Sequence, residues 1–163
     1  MKPEGSGRDE HLFTRLSAVL ARYEGFHRLG ALAGEGGERA LRGWLFGGFL
    51  EPALGWEWHK IVLGESLDVL ALDWRDHAVI YIETKTPDNA LKVQHRAEMI
   101  GRAPRWGSLR HLFLTNGKMW ERFDLENPGE IDVQAPDAVY IVASGPIGAA
   151  DFFDPLDARR YVP

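Results

Sequence analysis

Two apolar runs, LDVLALD (67–73) and HAVIYIE (77–83), flank a short polar break around Trp74-Arg75-Asp76-His77. This pair constrains the fold more than any other feature. Both runs are short and rich in Val, Ile, Leu and Tyr, as strands are. Neither alternates cleanly between apolar and polar residues, so both faces of each strand must be covered. That predicts central strands in a sheet with helices packed on it, an α/β or α+β sandwich, rather than a half-solvated sheet.

The rest of the chain supplies the partners. Leu12, Phe13, Leu16, Val19, Leu20 and Tyr23 recur at three-and-four spacing, which predicts a helix over 9–23. A second helix is predicted over 38–50, built on Leu41, Leu45 and Phe49 and weakened by Gly47-Gly48. GWEWHKIVL reads as a first strand. Asp88 is positioned to cap a third helix ending near Gly101. LRHLFLTNGKMWERFDL reads as strand, Asn-Gly turn, strand. AVYIVA (138–143) is the last predicted strand, and the tail ends in a short helix. The sheet is then mainly antiparallel, with one inserted helix.

Charges inside the central pair stand out. Asp68, Glu83 and Lys85 lie within otherwise apolar sequence, where ionised groups are costly without partners or a task. If Arg75-Asp76 forms a two-residue loop, Trp74 pairs with His77 and Asp68 falls opposite Glu83. Opposed residues share a face and lie about 5 Å apart. Lys85, two residues past Glu83, joins that face. A register slip of one residue would turn Asp68 away. Two carboxylates and an ammonium so placed can hold a divalent cation and position a water for phosphodiester hydrolysis. The same residues can also serve as sheet-edge charges or a structural ion pair.

Composition narrows the classes. The 163 residues suit one domain, and the absence of cysteine excludes disulfides and thiolate metal sites. A hard, oxygen-coordinated cation remains compatible. No eighteen-residue apolar run occurs, so no membrane span is predicted. The polar N-terminus MKPEGSGRDEH lacks an apolar signal region, and a cytoplasmic protein is expected. The net charge is −5, unfavourable for a polyanion partner, yet residues 85–122 hold eight Lys/Arg against three Asp/Glu. That segment is the candidate for nucleic-acid contact, through Lys92, Arg96, Arg102, Arg105, Asn116 and Lys118. A solvated helix face and loop is the alternative. Trp56, Trp58, Trp106 and Trp120 could stack on bases or pack in a core. The six histidines are not at zinc-site spacing.

The order ERALRGWLFGGFLEPALGW, SLDVLALD, VIYIETKTP, Gln94 and LFLTNGKMWERFDL resembles the PD-(D/E)xK nuclease superfamily. Within it the order is most similar to the N-terminal nuclease domain of type I restriction enzyme R subunits. The resemblance covers roughly residues 35–125 and implies a restriction-endonuclease-like mixed β-sheet flanked by helices. It implies metal ligation by Asp68 and Glu83, with Glu38 contributing from the second helix, often through water. Glu35 is an alternative to Glu38. Lys85 would orient or activate the attacking water, and the family's glutamine falls on Gln94. The implied cofactor is Mg²⁺, with Mn²⁺ able to substitute, and the implied substrate is DNA.

The chain departs from the family in having Leu67 where a proline often precedes the Asp, and Glu98 where a tyrosine commonly follows the Gln. It contains no GxxxxGK[ST] phosphate loop, so any translocase lies on another polypeptide or is absent, and the chain could equally be a fragment of a larger protein. The expected organisation is one nuclease-like domain. An N-terminal helix and connection (1–36) lead to the core (37–125), and a strand with an acidic tail follows (126–163). The alternative expectation is a non-catalytic nucleic-acid-binding or assembly module of a larger restriction-type complex.

Overall fold

The computed structural model describes residues 5–32, 34–64, 67–103, 107–125 and 131–163, and leaves aside the side chain of Glu35. Arg105 and Trp106 lie outside the described residues, as does the Glu35 carboxylate.

Six strands form one mixed sheet in the order β1 to β6. They are β1 (Ile61–Leu63), β2 (Val69–Leu72), β3 (Ala78–Thr84), β4 (His111–Thr115), β5 (Met119–Asp124) and β6 (Ala138–Ile141). Every neighbouring pair is antiparallel except β3 and β4, which run parallel. A parallel pair needs a crossover, and helix α4 (Val93–Arg102) provides it.

The predicted opposition of Asp68 and Glu83 is present, but it arises differently. The loop holds three residues, not two: Asp73 N–H donates to His77 O, and Asp76 takes a left-handed φ of 63°. That alone would slip the register by one. A bulge at Val79, between the Leu72–Ala78 and Ala71–Ile80 pairs, restores it, and Val69 then pairs with Ile82. Asp68 is next in line with Glu83.

Both faces of the sheet are covered. On one face α1 (Gly5–Arg28), α2 (Glu35–Leu45) with the helical turn that extends it (Phe46–Leu50), and the short α5 (Ala149–Phe153) pack Leu16, Leu41, Phe49 and Phe153 onto Ile80, Ile82, Phe113 and Trp120. On the other, α4 brings Met99 onto Tyr81, Leu112, Leu114 and Phe123. Trp56 and Trp120 are fully buried, which removes them as base-stacking candidates. Trp58 is exposed.

The second helix outlasts its predicted end. At Phe46–Leu50 it widens into a π-helical turn around Gly47-Gly48, then continues as α3 (Glu51–Leu54) to Gly55. A side chain at Gly48 would meet Val19 Cγ2 at 3.0 Å, so the glycine lets α1 approach. Gly117 in the β4–β5 turn has φ 84°, and a Cβ there would sit 2.9 Å from Leu20 Cδ2. The Asn-Gly pair is thus fixed by tertiary packing as well as by the turn.

Three local expectations are corrected. Only Ile61–Leu63 of GWEWHKIVL is strand, because Trp58–Lys60 form a 3-10 turn. The first helix runs from Gly5 to Arg28, beyond the apolar stripe that predicted it. Asp88 does not cap α4. It accepts from Tyr23 Oη at 3.1 Å, and α4 begins after Lys92.

Candidate active site

Asp68, Glu83 and Lys85 converge at one end of the central strands, where the two helical layers meet the sheet. Asp68 and Glu83 are only 7 % and 3 % exposed. Buried carboxylates need several donors, and each has them. Asp68 Oδ2 accepts from Thr84 N–H at 2.6 Å and Thr84 Oγ1 at 2.8 Å, while Oδ1 faces Arg42 Nη1 at 3.2 Å. Glu83 Oε1 accepts from Lys85 Nζ at 2.9 Å. Its Oε2 accepts from Arg102 Nη1 at 2.9 Å and from Tyr81 Oη. Arg42 comes from α2 on one layer and Arg102 from α4 on the other, so both layers supply a cation to the carboxylate pair.

Glu38 belongs to the same electrostatic group. It is half-buried on α2, one turn before Arg42. Burial raises its carboxyl above the ordinary value, and the charges of Asp68 and Glu83 add to the rise against Lys85 and Arg42. A cleft of about 780 Å³ opens beside it, walled by Glu38, Arg39, Arg42, Leu63, Gly64 and Asp68. Among the described residues Glu83 and Lys85 are not part of that wall.

Orienting a water and taking its proton ask different things of Lys85. Desolvation could have lowered its pKa and made it a base. Burial does push it down, but the hydrogen bond and charge of Glu83, with Glu38 and Asp68, outweigh this and raise it. Lys85 is therefore held as an ammonium, suited to orienting a water or neutralising developing charge rather than accepting a proton.

The donor set suits a hard cation in kind: three carboxylates close enough to perturb one another, with no sulfur. The oxygens of Asp68 and Glu83 are already engaged, however. Among the described residues no three His, Cys, Asp or Glu side chains converge as a ready-made cage. Arg42, Arg102 and Lys85 supply the positive charge that a cation would otherwise provide.

The remaining sequence candidates scatter. Gln94 is exposed on α4 and bonds Glu98 at 3.1 Å, and among the described residues no hydrogen bond ties it to the carboxylates. Arg96 is committed to buried Glu121 through two bonds of 2.6 and 2.7 Å. Asn116 is buried and builds its turn, accepting from Lys118 and Met119 N–H and donating to Asn89 O. Lys92 and Lys118 are exposed and stay available to a polyanion. Much of the basic excess in 85–122 is thus neutralised internally, which a count along the sequence does not register.

Sequence reasoning gave no role to four residues the site uses: Arg42, Tyr81, Thr84 and Arg102 in its contact with Glu83. Two carried a signal. Arg42 follows Glu38 by four, one helical face, and Tyr81 precedes Glu83 by two, one strand face. His95 also lies close, its pKa lowered by burial and by the charge of Lys85.

No protein-family model, curated protein or solved structure matches the chain. The reading of the site rests on its own geometry and on the sequence pattern.

Proposed function

We propose that this chain is a Mg²⁺-dependent DNA endonuclease of the PD-(D/E)xK type, acting in the cytoplasm in restriction or defence. The carrying observation is the buried opposition of Asp68 and Glu83 with Lys85 2.9 Å from Glu83, beside a cleft that Asp68 and Glu38 help to wall. Asp68, Glu83 and Glu38 would hold the cation, which supplies charge neutralisation at the scissile phosphate and a more acidic bound water.

The chain's own residues account for the rest. Thr84 fixes the Asp68 carboxylate with two bonds, so its second oxygen is presented in a set direction. Tyr81 does the same for Glu83. The Lys85 ammonium, already beside Glu83, orients the attacking water and stabilises charge as the pentacovalent phosphorus forms. Positive charge entering the cleft would favour the ionised form of Glu38, whose carboxyl is raised by burial and by Asp68. Exposed Lys92 and Lys118 offer phosphate contacts without base readout. A motor or specificity subunit on another chain would choose the site.

The test is cleavage of supercoiled plasmid and single-stranded DNA with and without Mn²⁺, native protein against Glu83→Gln. Metal-dependent cutting lost in the variant supports the reading. Absence of cutting by native protein under all conditions contradicts it.

A specific observation favours a second reading. Every oxygen of Asp68 and Glu83 already has a basic or hydrogen-bonding partner, as in a structural ion cluster. On that reading the chain is a non-catalytic nucleic-acid-binding or assembly module. It would bind DNA with an affinity indifferent to Mn²⁺.

A further inference from the structure

The two arginines that neutralise the carboxylate pair are not equivalent. Arg42 is 14 % exposed at its side chain, and its Nη1 also donates to Gly64 O at 2.7 Å. Its Nε is buried with no partner among the described residues. Moving it would strip two acceptors and leave a desolvated guanidinium. Arg102 is 38 % exposed, stands at the last residue of α4, and among the described residues bonds groups of the Glu83 cluster, Glu83 Oε2 at 2.9 Å and Tyr81 Oη at 3.2 Å. It can turn to solvent without opening the core, and Glu83 keeps Tyr81 and Lys85 when it does.

Charge supports an exchange. Glu38, Asp68 and Glu83 stand against Arg42, Lys85 and Arg102, so with every group ionised the resting cluster is formally neutral. A divalent cation added to it leaves an excess of positive charge. If Arg102 departs, one positive charge leaves the cluster and a donor fork becomes available to a phosphodiester oxygen nearby.

We propose that Arg102 is a displaceable countercation: it holds Glu83 in place while no divalent cation is bound, and releases Glu83 to grip a backbone phosphate when cation and DNA arrive together. This rests on the metal-dependent nuclease reading above. It makes Arg102 a positioning residue that couples cation binding to DNA binding, so the free protein holds the cation weakly and the DNA-bound protein holds it tightly.

The test is calorimetric titration of Mn²⁺ alone into native protein, Arg102→Gln, Arg102→Lys and Asp68→Asn. Titrations of native protein and Arg102→Gln are repeated in the presence of a duplex oligonucleotide with non-hydrolysable linkages. Without DNA, Arg102→Gln should bind Mn²⁺ about 5- to 150-fold more tightly than native protein, the ordinary range of a coupling between sites. Arg102→Lys, which keeps the charge, should stay near native. The duplex should tighten Mn²⁺ binding in native protein and do so less in Arg102→Gln. A merely structural arginine would give the opposite first result, with Arg102→Gln unchanged or weaker. Should native protein bind Mn²⁺ in an Asp68-dependent way while Arg102→Gln gains nothing, the exchange is wrong and the metal site stands. If none of the proteins binds Mn²⁺ at millimolar concentration, the metal reading falls and Arg102's role falls with it.

Discussion

Glu83 and Glu121 occupy one row across the sheet, paired through Leu114 between them, and both face α4. Each is nearly buried and each meets an arginine from that helix. There the likeness ends. Glu121 is gripped by Arg96 through a two-bond fork, one nitrogen to each oxygen, and Arg96 also reaches the Val133 and Gln134 carbonyls. Glu83 has one bond from the more exposed Arg102, plus Tyr81 and Lys85. A closed one-to-one clamp fastens a helix to a sheet. A carboxylate with three separate donors, one of them a partly exposed arginine, lies opposite a second carboxylate and close to a cleft. Burial and charge do not distinguish the two glutamates; the number and exposure of their partners do.

The largest expected effect is on the clamp. Arg96→Ala leaves Glu121 ionised and buried without its fork, which should cost about 3–5 kcal/mol in urea unfolding. A loss under about 1 kcal/mol would erase the contrast between the two glutamates. Lys85→Ala should do the reverse. Glu83 keeps Arg102 and Tyr81, so the melting temperature changes little and DNA affinity stays within a few-fold. Cleavage should drop by about two or more orders of magnitude. Lys85→Arg should not restore it, since a guanidinium does not match an ammonium beside Glu83.

The hairpin and its three charged residues were legible because strand periodicity is geometric, and a two-residue repeat fixes which residues share a face. The register came out as expected although the loop is one residue longer, since the Val79 bulge compensates. Nothing in the residue types of 74–79 announces that pairing of errors. The cover on both faces was legible in the missing polar alternation of β2 and β3. The arginine partners were not, because Arg42 and Arg102 reach the site through tertiary packing from two different layers. The same blindness hides that Arg96 and Arg102, counted along the sequence as free positive charge, are paired with buried glutamates.

A smaller effect tests whether Glu38 shares the site's field. Its folded pKa is raised above the ordinary 4.5, first by burial and then by Asp68. A raised acid holds its proton more tightly folded than unfolded, so its ionisation works against the fold. The penalty is absent below the unfolded value and present in full above the folded one. Glu38→Gln should therefore raise the melting temperature at neutral pH, and leave it unchanged below the ordinary carboxylate value. A variant that melts lower at neutral pH would place Glu38 outside that field.

The smallest effect concerns the exposed lysines. Lys92→Ala and Lys118→Ala should each flatten the salt dependence of duplex binding by about 0.9 in log–log slope for one lost phosphate contact. An unchanged slope would put that lysine off the DNA path.

The central claim is that Asp68 and Glu83 form a cation site while Glu121, in the same row, does not. Thermal unfolding with and without Mn²⁺ tests it most directly in native protein, Asp68→Asn, Glu83→Gln and Glu121→Gln. A ligand at about a hundred times its Kd stabilises the fold by about 2.7 kcal/mol, which is several degrees for a chain of this size. Native protein and Glu121→Gln should show that rise, and Asp68→Asn and Glu83→Gln should lose it. Equal rises in all four proteins, or none in native protein, would contradict the account.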